Sequence, residues 1–166
     1  SSTSRGLGDV YKRQLFPFIF GCEGEKTTSQ ERIFFRQAQP FGFILFGRNL
    51  KNPKQINDLC QSLRDSVGWN APVMIDQEGG RVARLGAPHW FEFTPALQQS
   101  ENVYAERAFW LRGRLIAENL RLSGIDVNCA PLGDIAQPDT HHILRNRCYG
   151  TDTVSYTHLT LPTILL

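Results

Sequence analysis

Apolar residues in this chain fall into two patterns: short blocks, and stripes spaced three or four apart. The blocks Leu15 to Gly21, Phe41 to Gly47 and Val73 to Ile75 read as strands buried on both faces. Ile125 to Pro131 reads as a fourth strand. Between them lie helical signals. Thr27-Thr28-Ser29, with Glu31 three residues after Thr28, offers a capping box for a helix through Ile33, Phe34 and Phe35 that ends at Pro40. Asn52 caps a second helix with Pro53 at its first position, the stripe Ile56, Leu59, Cys60, Leu63 and Val67, and Gly68 as its stop. A third runs from about Asn102 to Leu122, with Ala108, Leu115, Leu122, Phe109 and Ile116 on one face and Ser123-Gly124 beyond it. Strand and helix alternate about four times, which predicts an α/β fold with a parallel sheet and right-handed crossovers.

The polar residues concentrate where the strands end. Val73 to Ile75 runs straight into Asp76-Gln77-Glu78-Gly79-Gly80-Arg81-Val82-Ala83-Arg84. In α/β folds the C-terminal ends of parallel strands are where ligands bind. The glycine pair permits positive φ and close approach of a backbone or ligand. Carboxylates beside guanidiniums suit hydroxyl-rich ligands. Taken alone, Asp76 and Glu78 also read as turn caps, and Arg81 as a brace on that turn through Glu78 or a ligand contact. Asp134 follows the fourth strand, and with Asp76 it forms the carboxylate pair that residue chemistry alone nominates for glycoside hydrolysis.

Other chemistry is weaker. His141-His142 lacks a third metal ligand at suitable spacing and reads as a solvated loop. From Leu85 to Pro95 runs a loop carrying His89-Trp90-Phe91, whose aromatic residues read as packing. The net charge of +2 gives no electrostatic case for nucleic acid, and nothing approaches a membrane span. Cys22, Cys60, Cys129 and Cys148 show no CxxC or CxxH spacing, so free thiols in a reducing compartment are expected. Ile19-Phe20-Gly21-Cys22 imitates a lipoprotein cleavage box, but the apolar run before it is short and broken by Pro17.

Both ends differ in character from the middle. Asp9-Val10-Tyr11-Lys12-Arg13-Gln14 can be encoded by GATGTGTATAAGAGACAG, whose reverse complement in a shifted frame reads Val154-Ser155-Tyr156-Thr157-His158. That DNA resembles a transposon end used as a sequencing adaptor. Residues 1–14 and 154–166 are therefore read as translated adaptor, leaving 15–153 as the domain. The first tail carries three basic residues and one acid and the second carries neither, so 15 of each sign remain between.

The segments Gly42-Phe43-Ile44-Leu45-Phe46-Gly47-Arg48-Asn49, Asp76 to Val82, Gly124 to Pro131 and Arg147-Cys148-Tyr149-Gly150 resemble the N-terminal part of glycoside hydrolase family three, in its bacterial β-N-acetylhexosaminidase branch. The Asp-Gln-Glu-Gly-Gly-Arg-Val block is the specific one. The resemblance implies the N-terminal half, about four β/α units, of a TIM (β/α)8 barrel. It implies a retaining, cofactor-free and metal-free enzyme, monomeric at full length, that removes terminal N-acetylglucosamine from cell-wall fragments in the cytoplasm. It further implies that Asp76, Arg84 and Arg147 bind the sugar, and Asp134, after the fourth strand, is read beside them as a substrate-binding residue on the floor of the site. By the same resemblance, the nucleophilic aspartate and the proton-transferring histidine belong to later segments. The family usually reads Ile-Gly-Asp/Glu-Arg where this chain has Leu144-Arg145-Asn146-Arg147, and a larger apolar residue where it has Gly133. Two other readings stand beside this one: a β-glucosidase of the same superfamily, and a non-catalytic carbohydrate-binding half-barrel.

Overall fold

The computed structural model describes residues 16–154. Leu15, residues 1–14 and residues 155–166, which include nearly all of both adaptor-like tails, lie outside the described residues. Four strands, β1 (Phe16–Phe20), β2 (Pro40–Leu45), β3 (Val73–Ile75) and β4 (Val127–Asn128), form one sheet in the order β1-β2-β3-β4. Every neighbouring pair is parallel. The crossovers carry α1 (Ser29–Ala38), α2 (Pro53–Val67), the short α3 (Ala96–Ser100) and α4 (Ala105–Leu122), and α5 (His142–Arg145) follows β4.

The helices start and stop where local chemistry directs. The Thr28 hydroxyl accepts from Glu31 N at 3.1 Å, while the Glu31 carboxylate accepts from Thr28 N and from Glu23 N, each at 2.7 Å. Two N–H groups that the first turn leaves without helical partners are thus satisfied, together with one in the preceding loop. Asn52 Oδ1 accepts from Gln55 N at 2.9 Å, and Gly68, at φ 73°, ends α2 by donating its N–H to Arg64 O. A residue with a Cβ pays for that left-handed conformation, which is why a glycine stands there.

Register sorts the strand residues. Phe43 pairs with Val73 and Leu45 with Ile75, and all four are wholly buried. They pack with Phe35 of α1, Ile56 and Leu63 of α2, and Ile116 and Leu120 of α4. Burying each such side chain contributes roughly 1.5–3 kcal/mol. The alternate row, Ile44, Met74 and Val127, lies on the other face of the sheet and is only partly covered.

Four expectations need correcting. The first strand, read as buried on both faces, leaves Phe16, Phe18 and Ile19 exposed. The fourth strand is much shorter than Ile125 to Pro131, and at its start the Asp126 carboxylate accepts from Val73 N at 2.8 Å and from Arg64 Nη2 at 2.7 Å, while Asp126 N donates to Val73 O. The third long helix begins at Ala105, not Asn102, and α3 and α5 occupy stretches read as loop. Its inner face is Phe109, Arg112, Ile116 and Leu120, while Leu115 and Leu122 are 52% and 58% exposed. An arginine holds a core position there, and hydrophobic periodicity cannot see it. Among the described residues no helix is long and apolar enough to cross a membrane.

Candidate functional site

β3 delivers Asp76 to the C-terminal edge of the sheet, directly after Ile75. Beyond it the chain turns back on itself: Glu78 N and Gly79 N both donate to Val82 O, at 2.9 and 3.0 Å. Gly79 and Gly80 take φ values of 90° and 59°, and Gly80 N donates to Phe93 O. The positive φ expected of this pair is what the turn uses.

Gln77, flanked by the two carboxylates, is a structural clamp. Its side chain is buried, accepts from Arg84 N and Leu85 N at 2.8 and 2.9 Å, and donates to Leu85 O. Its main chain is held by the Asn128 amide, which accepts from Gln77 N and donates to Gln77 O, each at 2.9 Å. An asparagine side chain therefore continues the β3–β4 ladder one residue further. Neither role was legible from the sequence, since both residues look like ordinary polar positions at strand ends.

The clamp brings Arg84 over the strand end, where its Nη2 meets Asp76 Oδ2 at 3.1 Å. Both side chains stay partly open, 27% for Asp76 and 31% for Arg84, so the pair faces solvent with hydrogen-bonding capacity to spare. A second, deeper pair lies beside it. Arg147 Nε and Nη2 grip the two oxygens of Glu78 at 2.9 and 2.7 Å, the bidentate arrangement that gives the strongest carboxylate–guanidinium contacts. That bond raises the Arg147 pKa against a smaller opposing effect of burial, and the charges of Asp76 and Asp134 push the same way. Asp134 itself is exposed in the loop after β4.

Asp76, Arg84, Arg147 and Asp134 are thus drawn toward one edge of the sheet. Arg81 is not part of the group. It is exposed and donates to Ile143 O at 2.6 Å, so Glu78 is braced by Arg147 rather than by Arg81. Cys129 sits next to Asp76: burial raises its thiol pKa, and the Asp76 charge and a hydrogen bond to it raise it further. All four cysteines are free, and Cys129 is exposed while the other three are buried.

The remaining candidates lie apart in role. His141 Nδ1 accepts from Ile143 N at the start of α5, and its ring lies 4.4 Å from that of His142. Trp90 packs on the core, as expected. Phe91 does not: it is 65% exposed, and its ring meets the Phe93 ring edge-on. A Cβ on Gly133 would meet nothing within 4 Å, so the larger residue usual there has room and its absence leaves no local clash to explain. Arg145, at the position expected to be glycine, donates to Gln137 O across the same loop.

Known proteins share this arrangement of strands and loops. The chain is 31% identical over 140 residues to a beta-hexosaminidase of Stenotrophomonas maltophilia, covering 81% of this chain and 41% of that protein. It is 33% identical over 113 residues to a beta-hexosaminidase of Pseudomonas aeruginosa, covering 68% and 33%. Among solved structures, NagZ from Neisseria gonorrhoeae superposes with a TM-score of 0.80 at 23% identity, over 89% of this chain and 44% of that one. A family 3 beta-N-acetylglucosaminidase from Paenibacillus gives 0.75 at 25% identity, over 89% and 28%. The chain therefore spans less than half the length of these relatives, and its fold is the matching half of a TIM-type barrel. Residues 14–164 match the glycosyl hydrolase family 3 N-terminal domain, and the chain belongs to that family, on its bacterial beta-hexosaminidase branch.

Proposed function

We propose that this chain supplies the sugar-anchoring half of a retaining β-N-acetylhexosaminidase that removes terminal N-acetylglucosamine from cell-wall fragments in the cytoplasm. The observation that carries the reading is the half-exposed Asp76–Arg84 pair at the C-terminal edge of β3, set beside the Glu78–Arg147 pair. Carboxylates accept from sugar hydroxyls and guanidiniums donate to them, and such charge-assisted bonds fix the orientation of a polar ring. A structure of the same fold, NagZ from Neisseria gonorrhoeae, has been solved in complex with N-trifluoroacetyl-D-glucosamine, which supports an amino-sugar ligand. The reading includes recycling of peptidoglycan as the setting, a monomeric full-length enzyme, and no cofactor. Asp134 completes the ring of polar groups from the β4 side.

Anchoring is not hydrolysis. Cleavage of a glycoside needs one group to protonate the leaving oxygen and another to attack the anomeric carbon, each contributing a factor of about 10² or more. Asp76 and Glu78 each already accept from an arginine, Arg84 and Arg147, so their oxygens are committed to holding those side chains and not to a leaving group. The chain by itself is therefore proposed to bind sugar without turning it over.

The test is equilibrium binding of N-acetylglucosamine, paired with incubation of concentrated protein with an aryl N-acetylglucosaminide and an aryl glucoside. Binding that falls at least tenfold in Asp76→Asn, with no release of the aryl group, is expected. Release that disappears in Asp134→Asn would overturn the non-catalytic reading and make Asp134 a catalytic carboxylate. Preference for the glucoside would point to the β-glucosidase alternative.

A further inference from the structure

The strongest unassigned feature is a cation inside the protein. Arg112 lies on the inner face of α4, only 3% exposed, at a position where Phe109, Ile116 and Leu120 lead one to expect another apolar side chain. Burying a guanidinium is costly unless its N–H groups are met. Here neutral oxygens meet both Nη groups, while the buried Nε has no hydrogen-bond partner among the described residues. Nη1 donates to Thr94 O at 2.8 Å and to Gln99 Oε1 at 2.7 Å, Nη2 donates to the main-chain carbonyl of Glu78, and the ring of Phe93 lies 5.2 Å from the charged carbon.

Glu78 is consequently held from two sides. Its carbonyl belongs to Arg112 and its carboxylate to Arg147. Gly79 makes this possible: a Cβ there would overlap Arg112 Nη2 and lie 2.9 Å from Phe93 Cβ. The far end of the pair also rests on α4, because the Tyr149 ring, two residues after Arg147, packs 4.9 Å from the Phe109 ring. An apolar residue at position 112 would fill the space but remove the donor to the Glu78 carbonyl, leaving that peptide plane to the bond from Gly79 N to Val82 O.

We propose that Arg112 is a positioning residue for the sugar site: by fixing the Glu78 carbonyl it sets the direction of the Glu78 carboxylate and hence the placement of the Arg147 guanidinium. The sugar-binding half of this statement rests on the function proposed above. The placement half stands on the hydrogen bonds alone.

Two readouts separate these halves. In the whole chain labelled with ¹⁵N-arginine, the Arg147 Nε–H bound to Glu78 gives a slowly exchanging resonance, identified by its loss in Arg147→Lys. Arg112→Gln is expected to abolish this resonance and to weaken N-acetylglucosamine binding at least tenfold, while the backbone amide spectrum of β1 to β3 stays in place. Arg112→Lys, whose single ammonium replaces a two-armed fork, restores only part of both. Should Arg112→Gln fail to fold, Gln99→Leu removes one acceptor of Nη1 and is expected to speed exchange of the same Arg147 proton severalfold. A resonance unchanged in the folded variants, or missing from the wild type, overturns the proposal. A wild type that shows the resonance but binds no N-acetylglucosamine overturns the sugar reading and leaves the resonance to decide the role of Arg112.

Discussion

Arg147 closes a bidentate ion pair on Glu78 from 69 positions away, and the carboxylate it grips is 7% exposed. That single contact ties the loop after β4 to the loop after β3, so the two walls of the candidate site are held at a fixed distance. Removing the cation alone leaves a buried carboxylate with no charged partner, which is worse than removing both groups. Arg147→Met is expected to cost about 3 kcal/mol, the low end for a broken buried pair, because Arg147 keeps some solvent. Glu78→Gln with Arg147→Met is expected to recover part of that loss. Urea denaturation of the single and double variants measures both, and a double variant no more stable than Arg147→Met would refute the account.

The acid limb of stability is expected to depend on Glu31. Burial opposes its ionisation, but the N–H groups of Thr28 and Glu23 and the Thr28 hydroxyl outweigh that and lower its pKa. A carboxylate whose folded pKa is depressed stabilises the fold fully above its unfolded value of about 4.3 and loses that contribution as pH falls through the folded one. Glu31→Gln is expected to cost about 0.5–1 kcal/mol at pH 7, the usual worth of a charge at a helix start, and almost nothing at pH 2. Thermal melts of both proteins across that range should converge toward acid. Parallel curves would contradict the assignment.

Asp126 offers a test of how the start of β4 is held to β3. Its carboxylate meets a strand N–H, Val73 N, along with Arg64. Asp126→Ala leaves that N–H without this acceptor, a loss of about 1–3 kcal/mol. Hydrogen exchange at Val73 should quicken while exchange at Phe43, whose N–H bonds to Pro72 O, changes little. Equal acceleration at both would mean the whole sheet loosens instead.

These features also mark how far the chain could be read without its structure. Order, direction and helix caps were legible because each rests on local chemistry: Thr28 with Glu31, Asn52 with Pro53, Gly68 at the end of α2. The strand carrying Asp76 was legible because Val73-Met74-Ile75 is an unbroken apolar block bounded by Pro72 and a carboxylate. What escaped depends on contacts across the chain. Arg112 breaks the apolar stripe of α4, and the oxygens of Glu78, Thr94 and Gln99, brought in from other parts of the chain, explain it. Gln77 and Asn128 escaped for the same reason: their partners are main-chain groups, and no side-chain pattern announces them.

Cys129 provides a chemical reporter on the site itself. It is exposed, whereas Cys22, Cys60 and Cys148 are buried, and burial pushes Cys22 up to about 11 and Cys60 to about 12. Only a thiolate attacks an alkylating agent, so the folded chain is expected to take up iodoacetamide at Cys129 first. Its own pKa is also raised, by burial and then by the charge of Asp76 and a hydrogen bond to it, so the reaction is slow near pH 7 and quickens as pH rises. Replacing Asp76 by Asn removes the negative charge and leaves the Arg84 cation nearby, and both changes favour the thiolate. Asp76→Asn is therefore expected to speed labelling at pH 7.5 several-fold, and N-acetylglucosamine bound at Asp76 to slow it in the wild type. Peptide mass mapping after timed alkylation reads both. Slower labelling in Asp76→Asn would show that the carboxylate does not restrain Cys129, and equal uptake at Cys22 and Cys60 would show that the core opens faster than the site reacts.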